Sequence, residues 1–206
     1  MSETIQIRDY RVRLDQLTHQ YYVNDQPVIS VTQLIDRFLG RPYKKRVDPS
    51  ILDAAAQKGQ ELRDRIERYE RFDEKAYHPE MATYIRLKKQ HQFDVVESET
   101  IVLIHRFGKV VAAGRFDMVV ESPYMKGLGI ADVKRAAHLD ERRLTLQLNL
   151  YKLGYEQTYR KKIHYLKCLH IRNREGTYLD IPIDKDLVET LLDGYLETEP
   201  NLLIED

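Results

Sequence analysis

The stretch VVAAGRFDMVV (residues 110–120), followed after a short break by GIADVKR (129–135), decides how the rest of the chain is read. The first run is apolar on both faces that a strand's period of two presents, which predicts a central strand covered above and below. Asp117 lies inside it, where an ionised carboxylate is costly unless something compensates it. Asp132 and Lys134 are two residues apart, so a strand points both to one face of its sheet. If the two strands are neighbours, Asp117 and Asp132 converge, and like charges that close call for a cation between them. Oxygen donors suit a hard ion that keeps several waters, Mg²⁺ or Mn²⁺, better than zinc. So short a pattern also recurs by chance, and a plainer reading stands beside it: strand-end aspartates, with Lys134 pairing to one of them.

Working outward, DVVESETIVLIHR (94–106) and KVVAAGRFDMVVES (109–122) read as strands joined across Phe107-Gly108, and GLGIADVKR (127–135) as a third. A helix over about 140–160 places Leu144, Leu148, Tyr151 and Tyr155 on one broad face. KIHYLKCLHIR (162–172) and TYLDIPI (177–183) read as two further strands, and DKDLVETLLDGYLE (184–197) as a closing amphipathic helix. Upstream, HQYYV and PVISV suggest a hairpin turning at Asn24-Asp25-Gln26. Ser30 or Thr32 can cap a helix over TQLIDRFLG that Gly40 ends, and helical spacing continues over about Pro49–Phe72 and Pro79–Gln92. The order predicts an α/β protein in which a central mixed sheet is flanked by helices on both faces. One domain is expected, with an N-terminal hairpin and helical elaboration over about 1–93 and a core over about 94–206.

The 206 residues are 42% hydrophobic and 32% charged, the composition of a soluble globular chain. The sequence lacks an apolar run long enough for a membrane span and a secretory start, so the cytoplasm is the expected address. Cys168, the only cysteine, rules out an intramolecular disulfide and reads as a buried core thiol. A formal net charge of zero gives no long-range pull on phosphate, so any nucleic-acid contact must come from local clusters. Two present themselves. Arg41, Lys44, Lys45 and Arg46 surround Tyr43, which can stack on an unpaired base; Arg142, Arg143, Arg160, Lys161 and Lys162 flank the helix that follows D-x-K. Most such runs are simply solvated. His105, His164 and His170 lie on strands without an H-E-x-x-H helix, which speaks against a zinc hydrolase. There is no Gly-rich phosphate loop of Walker type, so ATP-driven translocation needs another polypeptide.

Across most of its length the sequence resembles the RecB-like PD-(D/E)XK nucleases, phage-encoded members included. PVISVTQLIDRF is similar to that family's S-V-T helix start, Ser98-Glu99 to its S-E strand motif, and Gly114-Arg115-Phe116-Asp117 to G-x-x-D. Asp132-Val133-Lys134 resembles (D/E)-x-K, and Gln147-Leu148-Asn149-Leu150-Tyr151 resembles Q-x-x-x-Y, in the same order and spacing. The resemblance implies metal ligation by Asp117, Asp132 and the Val133 carbonyl, a catalytic Lys134, and Gln147 and Tyr151 approaching site or DNA. Tyr151 suits simple sheet packing as well. Glu99 is expected to hold Lys134 or a metal-bound water, although Glu97 could serve and either could face solvent. Many metal-active relatives carry G-x-x-x-H on an early helix, where Gly59-Gln60-Glu61-Leu62-Arg63 ends in arginine. Arginine stays protonated and ligates no metal, so either Glu99 and water complete the shell or binding weakens. Arg63 then contacts a phosphate, or pairs with Glu67 one helical turn on. The implied function is a Mg²⁺- or Mn²⁺-dependent DNA exonuclease or structure-selective nuclease, with a helicase or recombination protein as partner and the host cytoplasm as address if phage-encoded. The alternative is a nuclease-fold protein of little activity that binds DNA or a protein partner.

Overall fold

Apolar alternation in the second half of the chain produces one five-stranded mixed sheet in the computed structural model, which describes residues 2–15, 18, 20–40, 48–75 and 77–199. Strands β5 (Asp94–Arg106), β6 (Lys109–Glu121) and β7 (Leu128–Lys134) form an antiparallel meander. Strand β8 (Ile163–Arg172) lies parallel to β7, and β9 (Glu175–Ile181) returns antiparallel to β8, giving the order β5-β6-β7-β8-β9. A parallel step needs a crossover, and helix α4 (Glu141–Tyr159) supplies it.

Helices cover both faces, as expected for strands apolar on both sides. On one face, α1 (Val31–Leu39), α4 and α5 (Lys185–Thr198) bury Leu34, Ile35, Leu148, Tyr155 and Leu191 against Val102, Ile130 and Leu166. On the other, α2 (Pro49–Phe72) and α3 (Pro79–His91) bury Leu62, Ile66, Tyr84 and Leu87 against Met118, Val133 and Leu169. Helix α1 starts with a full capping box: the Ser30 hydroxyl accepts from the Gln33 N–H at 3.1 Å, and Gln33 Oε1 accepts from the Ser30 N–H at 2.9 Å. Of the two caps expected for this helix, Ser30 is the one used. Among the described residues no helix is long and apolar enough to cross a membrane.

The expected N-terminal hairpin is half of a larger structure. Strands β1 (Ser2–Ile7), β2 (Tyr10–Asp15), β3 (Gln20–Val23) and β4 (Gln26–Val28) form a second, antiparallel sheet. Positive φ at Asn24 and Asp25 (48° and 65°) closes the β3–β4 turn, at residues that tolerate it. Strand β2 escapes hydropathy because Arg11 and Arg13 alternate with the buried Val12 and Leu14, diluting a period-two pattern, and β1 has only Ile5 and Ile7 among polar residues. This sheet lies over the middle of β5 and β6, joining Val12, Leu14 and Tyr21 to Ile101, Leu103 and Ala113 in a third core.

Candidate active site

Strands β6 and β7 pair from Val120↔Gly129 to Met118↔Ala131, and the next step of that register sets Asp117 opposite Asp132. Here the ladder ends. The backbone N–H of Val133 instead donates to Asp117 Oδ2 at 2.6 Å, so a carboxylate serves a donor that the neighbouring strand leaves free. On β7, Ile130 faces the α1/α4/α5 core while Ala131 and Val133 face α2 and α3. Alternation therefore directs Asp132 and Lys134 toward α4, as their spacing predicts. On the other side of β6, the pairs Ser98↔Met118 and Thr100↔Phe116 bracket Glu99 opposite Asp117. Three carboxylates thus occupy one row across three adjacent strands.

The electrostatics follow from that crowding. Asp132 is 3% exposed, and its Oδ2 is ion-paired with Lys134 Nζ at 2.5 Å. Burial, and then repulsion from Asp132, push the Asp117 carboxyl well above the usual carboxylate range, against the pull of Arg63 and Lys134. Burial disfavours the Lys134 ammonium, but Asp132 and Asp117 outweigh it and raise its pKa. Glu99 is pushed up to about 7, chiefly by burial, with Arg115 opposing.

Helix α4 completes the wall. Gln147 Nε2 donates to the Tyr151 hydroxyl at 3.0 Å, one turn along the helix. The Tyr151 ring lies 5.6 Å from that of Phe116 and sits directly on Gly114, where a Cβ would be 2.8 Å from both Tyr151 Cε1 and Val31 Cγ2. Only glycine allows α1 and α4 to close on β6 here, so Tyr151 packs on the sheet and lines the site at once. The resulting cavity, about 390 Å³, is lined by Asp117, Asp132, Lys134, Gln147, Tyr151 and Arg63, among others.

This donor set suits a hard divalent cation on one count: two carboxylates face each other across adjacent strands, one of them costly to ionise. It is sparse on another. Among the described residues no group of three or more His, Cys, Asp or Glu side chains is arranged to hold a metal ion, so main-chain oxygen and water would have to complete the shell.

Three expectations are corrected. Arg63 does not pair with Glu67, which binds Arg71 at 2.6 Å; it points into the site, its Nε 4.0 Å from Asp117 Oδ1 and its guanidinium held by Gln60 Oε1 at 2.7 Å. Glu99, whose backbone is left-handed (φ 51°), pairs with Arg115 Nε at 2.9 Å rather than with Lys134. Arg143 is not free for phosphate, since Asp36, Asp140 and the Gly40 carbonyl hold it between α1 and α4. Lys161 pairs with Glu97, whereas Arg142, Arg160 and Lys162 are exposed. Arg41, Tyr43, Lys44, Lys45 and Arg46 lie outside the described residues. Sequence reasoning missed Tyr21 and Arg115, which also line the cavity. Arg115 stands within the G-R-F-D run itself, and Tyr21 shares the buried face of β3 with Val23.

No protein-family model matches the chain, and no curated protein matches it. Among solved structures it is similar to one described as "Crystal structure of SSO0001", at 14% identity over 82% of this chain and 84% of that one, with a TM-score of 0.36. A likeness that low carries no argument about function.

Proposed function

We propose that the chain is a metal-dependent DNA nuclease of the PD-(D/E)XK type, an exonuclease or structure-selective enzyme that hydrolyses phosphodiester bonds. The observation that carries this reading is Asp117 set opposite Asp132 at the end of a strand pair, with Lys134 on the same side as Asp132. Asp117, Asp132 and the Val133 carbonyl would hold Mg²⁺ or Mn²⁺, which when bound polarises the phosphodiester and favours deprotonation of a water for in-line attack. Lys134 presents a compact positive charge beside the carboxylates, where it can meet a phosphate oxygen or orient the water. Its raised pKa keeps it charged at neutral pH. Gln147 and Tyr151 give the wall polar groups that face the same cavity. DNA is the proposed substrate, the cytoplasm the proposed address, and a helicase or recombination protein the proposed source of any translocation.

One observation favours a second reading. Arg63 already faces Asp117, and Lys134 already faces Asp132, so each carboxylate has a cationic partner before any metal arrives. A nuclease-fold protein that holds DNA or a partner and cuts slowly would suit that balance. Cleavage of end-labelled single- and double-stranded DNA, linear and circular, with Mg²⁺ or Mn²⁺ separates the two. A nuclease loses roughly 10²-fold or more of its rate in Asp132→Ala and in Lys134→Ala, and circular DNA distinguishes end from internal cutting. Metal-independent binding without cleavage by the wild type would select the second reading.

A further inference from the structure

Two cavities meet at the site, one of about 390 Å³ that holds the aspartates and a wider cleft of about 1180 Å³ between α2 and β5. Gln60, Arg63, Glu99 and Arg115 line both, so they form the partition between them. Arg115 is fixed there by Glu99 and by Glu3. Arg63 is bound by Gln60 Oε1 at 2.7 Å on its own helix, but across the site it reaches Asp117 only at 4.0 Å. Asp117 in turn has both oxygens committed, Oδ2 to the Val133 N–H and Oδ1 to Arg63.

We infer that Arg63 and a divalent cation are alternative partners of Asp117, the guanidinium neutralising the carboxylate in the metal-free protein and leaving when the ion binds. The inference rests on the metal-site reading proposed above. An ion ligated by Asp117 Oδ1 would sit against a guanidinium that cannot lose its proton, so relief comes by movement rather than by titration. Movement is open to it, because the wider cleft lies behind the partition; its lining includes Asp64, along with Glu67 and Glu97, which are already paired with Arg71 and Lys161. Swinging Arg63 aside also joins the two cavities, which links ion binding to access.

The test is Mn²⁺ binding without nucleic acid, by paramagnetic resonance of free Mn²⁺, on wild type, Arg63→Met, Arg63→Lys and Asp117→Asn. Arg63→Met should bind Mn²⁺ roughly tenfold more tightly than wild type, a factor worth about 1.4 kcal/mol. Arg63→Lys, which keeps the charge, should stay near wild type, and Asp117→Asn should lose the site. Equal or weaker binding by a natively folded Arg63→Met overturns the exchange while leaving the metal site standing. Absence of Mn²⁺ binding by every variant overturns the metal site and the exchange together. A wild-type measurement guards against a variant that does not fold: saturating Mg²⁺ should shift the ¹⁵N resonance of Arg63 Nε, and an unmoved resonance on binding contradicts displacement.

Discussion

Glu99 joins a left-handed backbone to a buried carboxyl whose pKa is pushed up to about 7, chiefly by that burial. An acid with a raised folded pKa binds its proton more readily folded than unfolded. Its burial therefore costs nothing below the ordinary value of 4.5, and stability is lost as pH rises from there through about 7. Glu99→Gln is neutral throughout and escapes that loss. Wild type and variant, both metal-free, should be similarly stable near the ordinary value, and above pH 7 the variant should be the more stable by up to about 3 kcal/mol, at about 1.36 kcal/mol per unit. Denaturant unfolding in EDTA at about pH 5 and about pH 8 reads the difference; a gap that stays constant with pH would show that Glu99 is not the ionising group. At this scale, what sequence spacing reveals depends on distance along the chain. Asp132 with Lys134 and Gln147 with Tyr151 are fixed by the strand and helix periods, so their shared faces are legible. The approach of Arg63 to Asp117 spans two different elements and depends on how α2 lies across the sheet, which no local period encodes.

Helix α4 does more than bridge β7 to β8. Its last turn covers the free edge of β5, offering side-chain donors and acceptors in place of a further strand. Gln157 Oε1 accepts from the His105 N–H at 2.8 Å and its Nε2 donates to the His105 carbonyl at 3.1 Å. Thr158 Oγ1 accepts from the Leu103 N–H at 2.9 Å and donates to the Leu103 carbonyl at 3.2 Å, and the Tyr159 hydroxyl donates to the Ile101 carbonyl at 2.8 Å. Three consecutive helix residues thus satisfy alternate residues of an edge that would otherwise be open to pairing with another chain. Thr158→Val keeps the shape and removes the hydroxyl, leaving a fully buried N–H unpaired, so it should cost about 1–3 kcal/mol in chemical denaturation. Faster hydrogen exchange at the Leu103 amide should accompany the loss; unchanged exchange would mean that water or a shift of the helix replaces the bond. None of this is visible in the sequence, where Gln157 and Thr158 read as ordinary polar helix residues. The elements themselves are legible from β5 onward, because each has apolar periodicity and turn residues at its ends. Strands β1 and β2 are not: arginines fill outward positions of β2, and β1 sets only Ile5 and Ile7 among Ser2, Glu3, Thr4 and Gln6.

For the whole molecule, the question is whether the N-terminal sheet is an attachment or part of the body. Its apolar face has no core of its own: Val12, Leu14, Tyr21 and Val23 close on Ile101, Leu103 and Ala113, which belong to the long strands of the main sheet. The backbone joins them too, since the Ala113 N–H donates to the Ile29 carbonyl at 3.0 Å and Ser30 bridges to Ala113. The same sheet carries Tyr21 into the wall of the candidate site and Glu3 onto Arg115 of its partition. Removing it would expose one face of β5 and β6 and loosen the row that holds Glu99 and Asp117. The two sheets should therefore unfold together. Val12 is fully buried, and Val12→Ala deletes two methyl groups from the shared core, a loss of about 2 kcal/mol once the residual cavity is included. In denaturant the variant should show one transition, at a lower midpoint and with unchanged slope, because the surface exposed on unfolding is still that of both sheets. A first transition confined to the variant's N-terminal strands, with the rest unfolding at the wild-type midpoint, would instead show that the main sheet stands without them, and Tyr21 would then be a removable part of the site wall.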